Sequence, residues 1–148
     1  MNRSLSISVS TVRSLGNETG QPQINASNFR SGFIASHQTL SLINTRNYSK
    51  NTVYNLTLTN ISLLANVSIT ALIISVGERN SCSDDTTSED YIEIEYGDSS
   101  HVCSGVRGTL LPLWEVTPDG DDVIIRLVSN NDSKTYRGFL LQYNGRQT

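Results

Sequence analysis

VYNLTLTNISLLANVSITALIISV, residues 53–76, alternates apolar and polar side chains through most of its length. Tyr54, Leu56 and Leu58 fall on one side of an extended chain, with Asn55, Thr57 and Thr59 on the other. Val67, Ile69, Ala71 and Ile73 share a second such face, opposite Asn66, Ser68 and Thr70. Successive side chains of a strand point to opposite faces, so a period of two marks strands with one face buried and one wet. An amphipathic helix would need its apolar residues three or four apart. No stretch of the chain sustains that spacing with caps at its ends.

The same period returns downstream. In YIEIEY (91–96), Ile92, Ile94 and Tyr96 would face inward, and DVIIRLVS (122–129) and FLLQYN (139–144) behave alike. LLPLWEV (110–116) is a further apolar segment, interrupted by Pro112. The turn-rich clusters GDSS, VTPDGDD and SNNDSKTYRG separate these runs, and such residues break strands for specific backbone reasons. Many short strands at regular spacing predict an all-β, antiparallel two-sheet sandwich.

A chain of 148 residues fits one domain and would bury roughly 68% of its unfolded surface. Charged residues are 17% of it and the net charge is −3, without the basic face that a nucleic-acid binder needs. The longest apolar run, ALIISV at 71–76, falls well short of the ~18–20 residues of a membrane span. The opening MNRSLSISVS lacks the continuous apolar segment and small-residue cleavage site of a signal peptide. The expectation is that the chain begins after processing or is a piece of something longer.

Asparagine points to the compartment. N-x-S/T sequons stand at Asn2, Asn17, Asn25, Asn47, Asn55, Asn60, Asn66 and Asn131. With 14 asparagines, and serine plus threonine at 35 of 148 residues, chance alone would place about 3 of these glycan acceptors. The excess of sequons predicts a secreted or cell-surface glycoprotein. Asn55 and Asn66 both fall on the polar side of their strands, where a glycan can leave the surface.

The N-terminal part reads differently. In RSLSISVSTVRSL (3–15), Leu5, Ile7 and Val9 alternate with serines, followed by Val12 and Leu15. LGNETGQPQINASNFRSG then brings glycine, proline and two sequons, the composition of a linker. The expected division is an N-terminal amphipathic strand and polar linker over 1–31 and a β-sandwich domain over 32–148.

Cys82 and Cys103 are the only cysteines. In an oxidising compartment they would pair; in a reducing one they would be two buried thiols. Around them the order of features resembles the CUB domain family of extracellular jelly-roll β-sandwiches. Glu78 closes an apolar strand, Cys82 follows, then DYIEI at 90–94, Gly97 and Cys103. VIIRLVSNNDS at 123–133, Gly138-Phe139 and Tyr143 complete the series, so the resemblance covers residues 32–145. The chain departs from the family in three places. Thr52 stands two residues before Tyr54 where the family has a cysteine of a second disulfide. Ser104-Gly105 follows Cys103 in place of a direct Gly, and the stretch from Cys82 to Asp90 is longer than usual.

The resemblance implies a Ca²⁺ ion held by Glu78 and Asp90, with a third ligand in Ser129-Asn130-Asn131-Asp132. The aligned third residue is Asn, whose amide oxygen brings no charge, and Asp132 replaces it if the turn is one residue longer. Hard oxygen ligands suit that ion, and Asp84, Asp85 and Glu89 add negative potential nearby. Catalytic residues are not expected. His37 and His101 sit in no nucleophile or metal motif, and His101 reads as a surface-loop residue. Glu93 and Glu95 share one exposed strand face without the apolar pocket that a glycosidase acid requires. Trp114 reads as core and not as a sugar-stacking platform.

The resemblance therefore implies a non-catalytic extracellular interaction module whose partners are other proteins or copies of itself. The N-terminal arm either pairs over residues 3–12 with its own sandwich or adds to the sheet edge of a neighbouring molecule, which would make the protein a building block of a filament or matrix. The alternatives are a secreted glycan-binding single-CUB protein and an accessory domain of a larger secreted protease.

Overall fold

The computed structural model describes residues 12–14, 16–17, 22–26, 31–36, 47–61, 64–83, 89–107, 111–118, 120, 122–131 and 134–147. The strands among them are, in chain order, β1 (Val12–Ser14), β2 (Gly16–Asn17), β3 (Gln23–Asn25), β4 (Ser31–Ala35), β5 (Val53–Thr59) and β6 (Leu64–Ser83). β7 (Tyr91–Tyr96), β8 (Ser99–Arg107), β9 (Leu111–Val116), β10 (Val123–Val128) and β11 (Gly138–Gln147) complete the series. They hydrogen-bond in the order β1-β4-β11-β6-β8-β7-β10-β5-β2, with β3 on β5 and β9 on β6. The expected all-β class holds, and the sheet curls back on itself at β8. That strand pairs with β7 over Ser99 to Cys103 and with β6 over Val102 to Arg107.

Period two explains the layers. Cross-strand rows Leu58–Val123–Tyr96, Leu56–Ile125–Ile94 and Tyr54–Leu127–Ile92 run across β5, β10 and β7, and every one of these side chains is buried. The opposing layer contributes Ile34–Leu141–Ala71 and Gly32–Tyr143–Ile69 across β4, β11 and β6. Apart from Gly32, both sets belong to one apolar cluster. Each fully buried aliphatic side chain contributes about 1.5–3 kcal/mol, so these rows are the main attraction between layers. Gly32 lies on the inner face against the Tyr143 ring, and a Cβ there would sit 3.0 Å from it.

Two pairings depart from the antiparallel expectation: β1 with β4 and β3 with β5 are parallel. Both involve the N-terminal segment, and its second half is no simple tether. Gly16 and Asn17 pair with Asn55 and Tyr54, and Gln23 to Asn25 run along Thr57 to Thr59. Ile24 and Ala26 are buried in the core. The cause is the free edge of β5, whose backbone groups need partners. Thr57 N–H donates to the Pro22 carbonyl at 3.0 Å, and Ala26 N–H to the Thr59 carbonyl at 2.9 Å. The glycine, proline and asparagine content hides this docking in the sequence.

Ile73 also differs from expectation. Alternation from Val67 places it on the inner face, yet it is 50% exposed, and Ile74 is buried instead. The register against β11 slips by one between Ala71 and Ile73, leaving Leu72 as the extra residue of a bulge. A bulge of one residue exchanges the two faces of a strand beyond it. β6 bends again further on: Val76 pairs with Gly105 and Ser81 with Ser104, so Gly77 to Asn80 form an excursion opposite two adjacent residues of β8.

Candidate functional site at the Asp90 end of the sandwich

Four segments meet where β7 begins. Asp90 precedes β7, Gly77 opens the excursion of β6, Ser129 and Asn130 follow β10, and Tyr48 precedes β5. Asp90 is 3% exposed, and a buried carboxylate must find donors. The Tyr48 hydroxyl donates to Oδ2 at 2.6 Å, and the Asn130 backbone N–H donates to Oδ1 at 2.7 Å. The Gly77 backbone also hydrogen-bonds the Tyr48 hydroxyl. Gly77 has φ +75°, and a Cβ there would lie 3.1 Å from the Asp90 carbonyl oxygen. Both the left-handed backbone and the close approach require glycine.

The turn after β10 is tied in by its serine. Ser129 Oγ accepts the Thr52 N–H at 2.9 Å and donates to the Ser49 carbonyl at 2.6 Å. Asn51 N–H reaches the Asn130 carbonyl at 2.7 Å. Tyr48 N–H in turn donates to the Tyr136 carbonyl at 3.1 Å. The residues before β5 are thus fastened to the β10 turn, which fixes the Tyr48 ring beside Asp90. Burial, reinforced by the hydrogen bond and negative charge of Asp90, pushes the Tyr48 hydroxyl pKa well above its ordinary range.

Of the residues expected to hold calcium, Asp90 is at the centre of this cluster. Glu78 directly follows Gly77, so its backbone position is beside Asp90, and its side chain lies outside the described residues. Asn130 contributes its backbone N–H, Asn131 follows exposed, and Asp132, Asp84 and Asp85 lie outside the described residues, as do His37 and Asn2. Among the described residues no lysine or arginine pairs with Asp90, and Arg126 pairs instead with Glu93 and Glu95. A buried carboxylate without a cationic partner fits a hard metal ion, since each of its oxygens has a second lone pair free to coordinate. Tyr48 carries no period-two or motif signal. Its link to Asp90 spans 42 residues, and sequence reasoning missed it.

The sequence also singles out residues outside this cluster. Glu93 and Glu95 do share a face, and Arg126 from β10 bridges them at 3.0 and 2.7 Å. Burial alone would lower the Arg126 pKa, but the two glutamates outweigh it and raise the value. Trp114 is half-buried against the core, its ring 5.6 Å from that of Tyr96. Cys82 and Cys103 form a disulfide between directly opposed residues of β6 and β8. His101 is not a loop residue: it lies on β8 opposite Ile94 and is half-buried.

This architecture matches solved structures. It is similar to the MASP-1 CUB2 domain bound to Ca²⁺, with a TM-score of 0.54 and 19% identity over 83% of this chain and 96% of that one. The fold is CUB-like. A second match is to the CUB1-EGF-CUB2 domains of rat MASP-1, with a TM-score of 0.54 and 15% identity over 85% of this chain. There the chain spans 42% of the longer protein's length. No protein-family model matches the sequence, and no curated protein matches it.

Proposed function

We propose that this chain is a non-catalytic, N-glycosylated extracellular module that works by contact with other proteins or with copies of itself. The observation that carries the reading is the placement of the sequons on a disulfide-bonded CUB-like sandwich. Asn25, Asn47, Asn55, Asn60, Asn66 and Asn131 are all exposed or half-exposed, so each can present a glycan to solvent. Secretion from eukaryotic cells, followed by N-glycosidase treatment and mass mapping, tests it. Glycan on several of these asparagines and a closed Cys82–Cys103 bridge are expected; bare asparagines with reduced thiols would overturn the assignment.

The reading includes a calcium ion at the Asp90 cluster, held by Asp90 and Glu78 with Asp132 from the turn after β10. There it would neutralise buried negative charge and tie three segments of chain together. Calorimetric titration of calcium into the protein and into Asp90→Asn is the measurement. Binding that survives the substitution unchanged would remove this site.

It also includes strand addition. β1 ends one edge of the sheet, and residues 3–11 precede it with alternating Leu5, Ile7 and Val9. That segment would continue along the edge of a second copy, building a head-to-tail filament or matrix. Deletion of residues 1–11 should lower the molar mass seen by light scattering. The same mass before and after deletion would end the idea.

A further inference from the structure

The disulfide and its neighbour contain a second kind of chemistry, independent of the Asp90 cluster. Among the described residues, the donor atoms of Cys82, Cys103 and His101 all lie within 4.8 Å of one another. The topology produces this. Cys82 and Cys103 are directly opposed on antiparallel strands, with Cα atoms 4.1 Å apart. His101 is two residues from Cys103 on β8, and positions i and i+2 of a strand share a face. β8 is held on its other side as well, Cys103 pairing with Ile92 and His101 with Ile94 of β7. The three side chains are therefore carried on paired backbone and not on a loop.

We propose that Cys82, Cys103 and His101 form a redox-gated site for a borderline or soft divalent ion of the zinc class, closed while the disulfide exists and opened by a dithiol. A tetrahedral zinc with sulfur at about 2.3 Å and nitrogen at about 2.1 Å places its ligand atoms about 3.5–3.8 Å apart. The present cluster reaches that spacing once the two sulfurs separate. Two thiolates and an imidazole select zinc, cadmium or cobalt over calcium, which takes oxygen ligands. Three protein ligands leave a fourth position, and Cys82 is on the exposed side while Cys103 is 2% exposed.

The exposure difference sets the order of the chemistry. A thiolate of the dithiol attacks Cys82 Sγ, the accessible sulfur, forming a mixed disulfide and expelling Cys103 as thiolate. The second thiol of the dithiol then displaces Cys82 and becomes the oxidised ring disulfide. Two electrons pass from the dithiol to the protein sulfurs. Binding of the divalent ion to the resulting thiol pair releases two protons. The metal and the disulfide thus exclude one another, because the same sulfur lone pairs make both bonds.

Cobalt(II) is the probe, added without oxygen to the full chain after treatment with a phosphine reductant. One equivalent should develop a thiolate-to-cobalt charge-transfer band with the visible bands of tetrahedral cobalt, and zinc should bleach both. His101→Ala should weaken binding by more than about tenfold, since disturbing even a ligand's supporting partner costs that much, while His101→Cys should restore it. The oxidised chain should show no band. If the reduced chain loosens without metal, zinc should restore its Trp114 fluorescence and raise its unfolding temperature, with no such effect on the oxidised chain. Absence of the band in the reduced chain would overturn the proposal. So would an equal band in His101→Ala, in the oxidised chain or in the urea-unfolded chain, or a failure of zinc to restore the loosened fold.

Discussion

Asp90 concentrates more long-range hydrogen bonding than its place in the sequence suggests. Its oxygens accept from residues 42 positions upstream and 40 downstream, so truncating it orphans a buried hydroxyl and a backbone N–H together. Each orphaned group costs about 1–3 kcal/mol, and Asp90→Ala should lower stability by about 3 kcal/mol in urea unfolding. The Tyr48 hydroxyl gives a pH signature. Its pKa is raised in the folded state, by burial first and by Asp90 next, above an ordinary value of 10.0. The stability it contributes is intact below pH 10 and declines above it, as the unfolded chain releases a proton that the folded chain keeps. Thermal unfolding followed upward through that pH should fall more steeply for the native protein than for Tyr48→Phe. Equal slopes would show that the buried hydroxyl ionises as freely as one in water. In the sequence Asp90 was legible as part of DYIEI, whereas Tyr48 was not, because nothing local to NYSKNT reports a partner brought in by the turn after β10.

β6 shows how far a strand can be read from its pattern and where that reading stops. Its inward residues Val67, Ile69 and Ala71 follow from alternation, and the bulge at Leu72 then hands the inner face to Ile74. The run of apolar residues from 71 to 74 contains no polar residue to report the phase change. Ile74→Ala should destabilise by about 3 kcal/mol, the usual cost of emptying an aliphatic core position. Ile73→Thr should stay within about 0.5 kcal/mol, as for most surface changes. Chemical denaturation of both variants checks the phase, and the opposite ranking would place the bulge elsewhere. β10, by contrast, was fully legible. Val123, Ile125 and Leu127 are buried as the period demands, and Arg126 projects outward to meet Glu93 and Glu95.

At the scale of the molecule, sequence alternation identified the class, and the ordered motifs around the cysteines identified the CUB-like resemblance. What neither supplied was the route of the N-terminal segment. β1 lies on β4 and β2 on β5, with only Leu15 between them, so the chain crosses from one layer to the other there. Short strands rich in glycine and asparagine leave no period to read. Their contribution is nonetheless energetic, since Ile24 and Ala26 reach the core. Deleting residues 1–26 should cost at least 2 kcal/mol, roughly the value of one buried aliphatic side chain with its strand. Deleting 1–11 alone should cost less, since Ile24 and Ala26 stay in the chain. Circular dichroism melts of both truncations make the comparison.

The position of β11 bears on how the protein is made. Its residues, 138–147, fill the gap between β4 and β6, and their partners were translated some hundred and some seventy residues earlier. A nascent chain that has emerged through β10 can assemble one layer but holds β4 and β6 apart with their inner faces wet. Closure therefore waits for β11 to clear the ribosome, and the layer of β4, β11 and β6 completes only after the other strands have been made. Stalled chains ending before Gly138 should remain open to protease at β4 and β6, and chains extended through Gln147 should become resistant there in a single step.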